Sequence, residues 1–328
     1  MADIARLAGA SISTVSRALN GSPLIPEATR QRIIDIAQAC NYQINAGAAN
    51  LRKRDIQTIG VAILGDRQQP ISDPFILHIL GAVADALDER GRNLLLTRLD
   101  ASKLGWVSAM YHGGQVAGMI VIGQATLHRQ LNALADQGIP MAVWGASLPG
   151  THYGVVGGDN RAGGHQATQH LLAQGCRRIA FFGDTEHPEA HQRHQGYLKA
   201  HKEAGLVPDP QLFQPYLFGS ERIQAAVDGW LAAGPRPDGV FAASDMAAIA
   251  VLAALKARGL DVPGQVKVVG YDDSAVAPHV HPPLTSVRQD TATAGQELVK
   301  LVCEAIEGQA VRRVVLPADL VLRQSSGA

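Results

Sequence analysis

The chemistry that stands out first lies within residues 11–20, where Ile12, Ser13 and Arg17 share one face of a short helical stretch and Thr14 and Ser16 carry hydroxyls beside it. An arginine on the exposed face of a helix can offer two parallel donors to guanine O6 and N7, a pairing worth roughly 1–3 kcal/mol of base discrimination. Hydroxyl side chains complement it by bonding phosphate oxygens, contacts that set register and carry no sequence information. Ser11 precedes the stretch and is placed to cap it by accepting hydrogen bonds from its free N–H groups. These residue types at this spacing point to contact with double-stranded DNA.

The elements that must present them follow from periodicity. Ile4, Leu7 and Ala8 fall on one face of a preceding helix, and Val15, Ala18 and Leu19 on one face of the second. Gly9 sits between them, where a chain that reverses within three or four residues needs positive φ. Ala5 is small enough for two helices to cross closely, and Val15 is the apolar wedge. This is a helix-turn-helix pattern whose second helix would enter the major groove. A third helix is expected over roughly residues 27–39, with Ile33, Ile34, Ala37 and Cys40 spaced to close a small core. Pro26 is tolerated at its start because the first-turn N–H groups lack intrahelical partners anyway. The stretch INAGAANLRKRD that follows reads as a linker ending in a basic cluster.

Charge is distributed unevenly. Residues 1–54 carry seven basic and three acidic side chains, which leaves 22 basic and 26 acidic beyond them in a chain of zero net charge. A basic end on a mildly acidic body fits one end meeting a polyanion. With 46% hydrophobic and 18% charged residues, the composition is that of a globular protein, and 328 residues suffice for two or three domains. No apolar run approaches the roughly 18–20 residues that span a bilayer. The opening MADIARLAGAS lacks the basic-then-apolar pattern of a secretory leader. Cys40, Cys176 and Cys303 are scattered and odd in number, as expected of reduced, packed thiols. A cytoplasmic protein with no membrane partner is therefore expected.

From Thr58 onward, short apolar runs alternate with amphipathic stretches. Strands are expected at 58–64, 93–99, 118–123, 141–144, 178–183, 239–243 and 266–271, and helices at 76–89, 127–137, 161–174, 193–204, 220–233 and 245–258. That alternation predicts an α/β fold with doubly wound parallel sheets, and about 270 residues accommodate two such halves. Ligands in such folds bind at the carboxyl edge of the strands. The chain contains no phosphate-binding G-x-x-x-x-G-K-[ST], no G-x-S-x-G elbow and no G-x-G-x-x-G after the first strand, so no enzyme and no cofactor are expected. GGDNRAGG (157–164) is read as a turn and a helix start through Asp159 and Asn160. His187, His191 and His194 lack an accompanying metal-ligand pattern and are read as a polar loop at the mouth of a cleft, with no metal site.

The run DIARLAGASISTVSRALNG, then TRQRI, the Asn41-Tyr42 pair and the AANLRKR…TIGV junction resemble the lac repressor and purine repressor (LacI/GalR) family of transcription regulators. The resemblance continues nearly to the end of the chain in DPF (73–75), DN (159–160), R-x-x-G-Y (193–197), SD (244–245), VGYDD (269–273) and PPLTSVRQD (282–290). It implies a helix-turn-helix domain at 1–40, a hinge at 41–56 and a two-lobed domain like a periplasmic binding protein at 57–328. On that pattern the DNA-contacting set is Ser11, Ile12, Ser13, Thr14, Ser16, Arg17 and Asn20, with Leu51 as a minor-groove wedge that unstacks a base step. Arg193, Ser244, Asp272 and Gln289 would hydrogen-bond a small-molecule effector and Phe75 would line it. Trp144 and Phe218 are candidates to stack on the apolar face of a sugar, whereas Trp230 is read as a core residue on a helix face. A sugar such as a glucoside or disaccharide is the expected effector.

Two departures from the family pattern bear on the hinge. Ile44 stands where a proline is usual, and Gly47 should weaken a hinge helix by about 1 kcal/mol relative to alanine, so that hinge is expected to be disordered without DNA. The resemblance further implies a repressor that binds a near-palindromic operator as a homodimer. With only Gln-Ser-Ser-Gly-Ala after Arg323 and no heptad tail, a tetramer is not expected. The alternative is a sugar-binding module of the same fold without DNA activity, against which the first 54 residues weigh.

Overall fold

The computed structural model describes residues 2–19, 22, 24–40, 56–64, 71–215, 220–232, 234 and 236–327. The proposed contacts of Asn20, Leu51 and Phe218, and the hinge with Ile44 and Gly47, fall outside these residues. The chain divides into two units, Met1–Ile56 with His112–Gln115, and Gln57–Tyr111 with Val116–Ala328.

In the small unit, α1 (Ala2–Ala8), α2 (Ile12–Leu19) and α3 (Glu27–Ala39) close on Ile4, Ala5, Ala8, Val15, Ala18, Ile33 and Ala37. Gly9 turns the chain with φ +56°. Ser11 caps α2, its Oγ accepting from the Thr14 N–H at 3.1 Å. The Arg32 guanidinium donates to the Ala8 carbonyl and ties α3 to the end of α1.

Three expected core positions differ. Leu7 is 55% exposed, because the buried stripe of α1 runs through Ile4, Ala5 and Ala8 and leaves Leu7 on its flank. Ile36 packs at the core edge where Ile34 was expected. Cys40 is exposed, because it lies past the last turn of α3 as its C-cap, where the chain leaves the helical path.

The large unit holds two six-stranded sheets. The first comprises β1 (Thr58–Leu64), β2 (Asn93–Leu99), β3 (Gly118–Ile122), β4 (Met141–Trp144), β5 (Gly154–Gly158) and β11 (Arg313–Leu316), in the order β11-β5-β4-β3-β1-β2 with every pairing parallel. The second comprises β6 (Ile179–Phe182), β7 (Phe213–Gln214), β8 (Gly239–Ala242), β9 (Lys267–Asp272), β10 (Thr285–Arg288) and β12 (Asp319–Val321), in the order β12-β10-β9-β8-β6-β7. Here only β12 is antiparallel. The first lobe carries α4 (Pro74–Asp88), α5 (Leu104–His112), α6 (His128–Ala135) and α11 (Thr291–Ile306). The second carries α7 (Asn160–Ala173), α8 (Pro188–Glu203), α9 (Ser220–Ala232) and α10 (Asp245–Ala257). Each sheet has an apolar core on both faces, as parallel sheets covered by helices require.

The chain crosses between lobes after Gly158, after Arg288 and after Leu316. The last two strands, β11 and β12, therefore lie close in sequence but in two different sheets. Helix α11 follows the second crossing and returns to the first lobe. Asp290 caps it by accepting from Thr293 at 3.0 Å, and its Ala294, Leu298, Val299 and Val302 are fully buried at helical spacing. Truncating one of these leucine or valine side chains leaves a cavity in the core; large-to-small changes of this kind cost about 2–5 kcal/mol for leucine. Of the three histidines read as a polar loop, His187 lies in one, just before α8, whereas His191 and His194 lie within the helix.

Candidate functional site

Two sites are built from residues the sequence singles out, one in each unit. In the small unit, Ile12, Ser13 and Arg17 are exposed on α2 and Thr14 and Ser16 are half-buried. The Ser11 hydroxyl lies 2.8 Å from those of both Ser13 and Thr14, so the cap also orders its neighbours. Arg17 forms no ion pair among the described residues, and its fork of donors is available to an external acceptor. The start of this short helix is capped, and its exposed face carries Arg17 and a 55% exposed Ile12.

In the large unit, element ends from both lobes converge on one pocket. The first lobe supplies Leu64 at the end of β1, Asp73, Phe75 and Ile76 around the start of α4, Ile122 to Ala125 after β3, and Trp144 at the end of β4. The second supplies His187, Glu189, Ala190 and Arg193 from the start of α8, Ala243 and Ser244 after β8, Asp272 at the end of β9 and Gln289 after β10. They line a cleft of about 760 Å³, part of it open to bulk solvent. Apart from the helix starts, these positions are the carboxyl ends of parallel strands, where side chains of neighbouring strands meet at an edge free of ladder hydrogen bonds.

Arg193 is buried and held from three sides. Its Nε donates to Asn160 Oδ1 at 2.8 Å, one terminal nitrogen donates to the Ala243 carbonyl, and the guanidinium covers the Tyr271 ring. Asn160 stands at the first crossing between lobes, so this brace links Arg193 to the hinge of the fold. Glycines make the geometry possible. A Cβ on Gly164 would lie 2.1 Å from the Arg193 carbonyl oxygen, and one on Gly163 would lie 2.6 Å from the Tyr271 hydroxyl. The glycine-rich run 157–164 thus does more than turn the chain. Asp159 does cap α7, accepting from Ala162 at 2.9 Å, while Gly164 lets α7 and α8 touch backbone to backbone and Gly163 makes room for Tyr271.

Asp272 accepts a 2.7 Å hydrogen bond from Gln289 Nε2, and the Oε1 of Gln289 has no partner among the described residues. Burial holds the Asp272 carboxyl well above the usual carboxylate range, opposed by the positive charge of Arg193. Asp73 is likewise raised by burial, opposed by the N–H groups of Phe75 and Ile76 that it caps. Three non-glycine residues among those described have positive φ: Ala125 at 44°, Asp272 at 117° and Asp273 at 49°. Two line the pocket and the third adjoins it. Such conformations cost of order 1–3 kcal/mol each and persist where surrounding structure fixes them, which is characteristic of binding sites.

The apolar wall is Phe75 against Trp144, ring centres 5.9 Å apart. Of the effector candidates read from the sequence, Phe75, Trp144, Arg193, Ser244, Asp272 and Gln289 all line this pocket. Ser244 contributes as the cap of α10, its Oγ accepting from Ala247 at 3.2 Å. Trp230 is buried in the core of the second lobe, edge-on to Phe182. Four polar lining residues escaped the sequence reading. Asp73 lies inside the DPF motif and His187 was noted only as a loop histidine, whereas Glu189 and Gln124 carried no local signal. Gln124 is fully buried and fully used: its Oε1 accepts from Ala146 N at 2.9 Å and its Nε2 donates to the Tyr153 hydroxyl at 3.1 Å. It positions the loops after β3 and β4.

Comparison with known proteins agrees with this arrangement. Residues 1–45 match the model described as bacterial regulatory proteins, lacI family, and residues 168–326 match a periplasmic binding protein-like domain. The chain is 36% identical to the HTH-type transcriptional regulator CelR of Thermobifida fusca, over 98% of this chain and 96% of that protein. It is 30% identical to the HTH-type transcriptional regulator DegA of Bacillus subtilis (strain 168), over 99% and 97%. Among solved structures it resembles the transcriptional regulator CelR-cellobiose complex, with TM-score 0.74, 34% identity and 98% of both chains covered. The lac repressor dimer bound to operator and the anti-inducer ONPF shares the fold at TM-score 0.81 and 24% identity, over 99% of this chain and 98% of that one.

Proposed function

Since this chain belongs to the lacI family of bacterial regulatory proteins, and is a DNA-binding transcription regulator of that family, we propose that it is a cytoplasmic repressor released or engaged by a small saccharide bound between its lobes. The observation that carries the saccharide reading is the pocket itself, which combines the Phe75–Trp144 wall, the braced Arg193 and the paired Asp272 and Gln289. Sugar hydroxyls both donate and accept, so they suit a guanidinium, a carboxyl and an amide side by side, while the apolar ring face suits an aromatic wall. The cellobiose held by the related CelR structure supports a β-linked disaccharide or glucoside.

In this reading α2 reads the major groove through Arg17, and a hinge around 41–56 brings Leu51 to the minor groove. A homodimer matches the two-fold symmetry of a near-palindromic operator. Ligand binding biases the closure of the lobes, and the coupling free energy changes operator affinity. The chain is read as a binding protein with no catalytic step. The test is a thermal-shift titration with cellobiose, glucose and purine bases. A saccharide that binds only the folded protein raises stability by about 2.7 kcal/mol at 100 times its Kd. A shift with purines and none with saccharides would refute the reading.

A further inference from the structure

Three helices begin at the pocket: α4 after Asp73, α8 after His187 and α10 after Ser244. The start of a helix, with its free N–H groups and positive end, ordinarily attracts anions. Here two of the three starts are capped by a side chain from within, and the third, that of α8, carries a carboxylate instead. Asp73 accepts from Phe75 N–H at 2.9 Å, and Pro74 leaves the next position without a donor. Pro188 removes a donor in the same way at α8, and Glu189 places a carboxylate in its first turn. The Ser244 hydroxyl takes the Ala247 N–H of α10, with Asp245 in the first turn behind it.

The side chains follow the same rule. Arg193 is the guanidinium among the described lining residues, and it already donates to Asn160 and to the Ala243 carbonyl and covers the Tyr271 ring. His187 lies 3.7 Å from Asp184. Among the described residues the lining sets three carboxyls, Asp73, Glu189 and Asp272, against one arginine. Glu189 is half-buried, and its carboxylate adds to burial in holding the Tyr153 phenol of the opposite lobe above its usual range.

Resting on the saccharide reading, we propose that this pocket admits uncharged saccharides and excludes phosphorylated ones, with Glu189 as the residue that sets the exclusion at the mouth. A phosphate monoester brings up to two negative charges and needs free donors or cations to replace its water. The starts of α4 and α10 already have side-chain partners, the start of α8 carries Glu189, and like charges brought together inside a partly dehydrated site repel strongly.

Isothermal titration of the full-length protein with two matched pairs, cellobiose with cellobiose 6-phosphate and glucose with glucose 6-phosphate, tests this. The phosphorylated member of each pair should bind at least about 100-fold more weakly than the neutral one. Glu189→Gln keeps the size and removes the charge, and it should narrow that ratio at least tenfold. Equal affinities within a pair, or a ratio unmoved in Glu189→Gln, would overturn the exclusion by charge and leave the saccharide reading standing. Silence from all four sugars would overturn the saccharide reading and the exclusion with it.

Discussion

The guanidinium carbon of Arg193 lies 3.7 Å above the centre of the Tyr271 ring. Arg193 opens the inner face of α8 and Tyr271 lies in β9, two residues brought together from 78 positions apart in the chain. A cation over an aromatic face in a dehydrated site is worth about 2 kcal/mol, and here it acts with the hydrogen bonds to Asn160 and Ala243. The side chain is oriented before any ligand arrives, so binding need not order it.

Arg193→Lys keeps the charge and loses the planar fork and its stacking on Tyr271. Effector affinity should fall by the loss of a charged hydrogen bond, about 1.5–3 kcal/mol, with the fold retained. Calorimetry of effector binding, with circular dichroism as the control, measures this.

Gly164→Ala is expected to act on the same side chain indirectly. The added Cβ would stand 2.1 Å from the Arg193 carbonyl oxygen, so α7 and α8 must separate. Destabilisation of about 1–3 kcal/mol is expected, together with weakened effector binding. Gly229→Ala, at an exposed position of α9 where a Cβ meets nothing within 4 Å, should leave stability unchanged or slightly raised. Urea denaturation of the two variants side by side makes the comparison.

This pair also shows where sequence reading stops. Apolar runs such as TIGVAIL and NLLLTRL are visible as β1 and β2 to their last residue, because a run of strand-forming side chains is a local signal, whether the strand is buried like β1 or largely exposed like β2. GVVGG was missed as β5, since its glycines answer to a distant partner: a Cβ on Gly157 would come 2.0 Å from the Gly145 carbonyl oxygen. The same distinction holds in the pocket. Phe75, Arg193 and Asp272 lie in family motifs and were named beforehand, whereas Gln124 and Glu189 matter only because β3 ends and α8 begins at one cleft. Nothing in their immediate neighbours reports that. Cys40 was misread for a related reason, since helical spacing alone does not mark where α3 ends.

Acid should weaken the second lobe through its histidines. His170, His194 and His201 are held below the usual imidazole range by burial, with His191 and His201 adding to the effect at His194. A lowered folded value means that the unfolded chain binds protons first. The stability these groups contribute is therefore complete above the unfolded value of about 6.5 and is lost as pH falls through the folded values. Asp245, held up to about 6 by burial, runs the other way: its contribution is present at low pH and disappears as pH rises through about 6. Comparing variants separates the two. His194 sits among Phe181, Tyr197 and Phe213, so His194→Phe should retain the packing and reduce the loss of melting temperature between pH 7.5 and 5.5. An unchanged loss would remove His194 from this role.

At the other site, Arg17→Ala should weaken specific DNA binding by about 1–3 kcal/mol and relax discrimination at one base pair. Effector binding by the same variant should match the unmodified protein. Gel shift on a selected duplex and on its single-base variants reads the first effect, and calorimetry reads the second.

The most direct measurement follows operator binding by fluorescence anisotropy at fixed salt, using a duplex selected from genomic fragments and increasing cellobiose, for the unmodified protein and for Asp272→Asn. Asparagine tolerates the positive φ of this position and removes the carboxylate. The expected result is a 5- to 150-fold change in operator affinity for the unmodified protein and, for the variant, the same starting affinity with no response to the sugar. An operator affinity that stays constant while cellobiose demonstrably binds, or a variant that loses DNA binding along with the response, would contradict two separate but coupled sites.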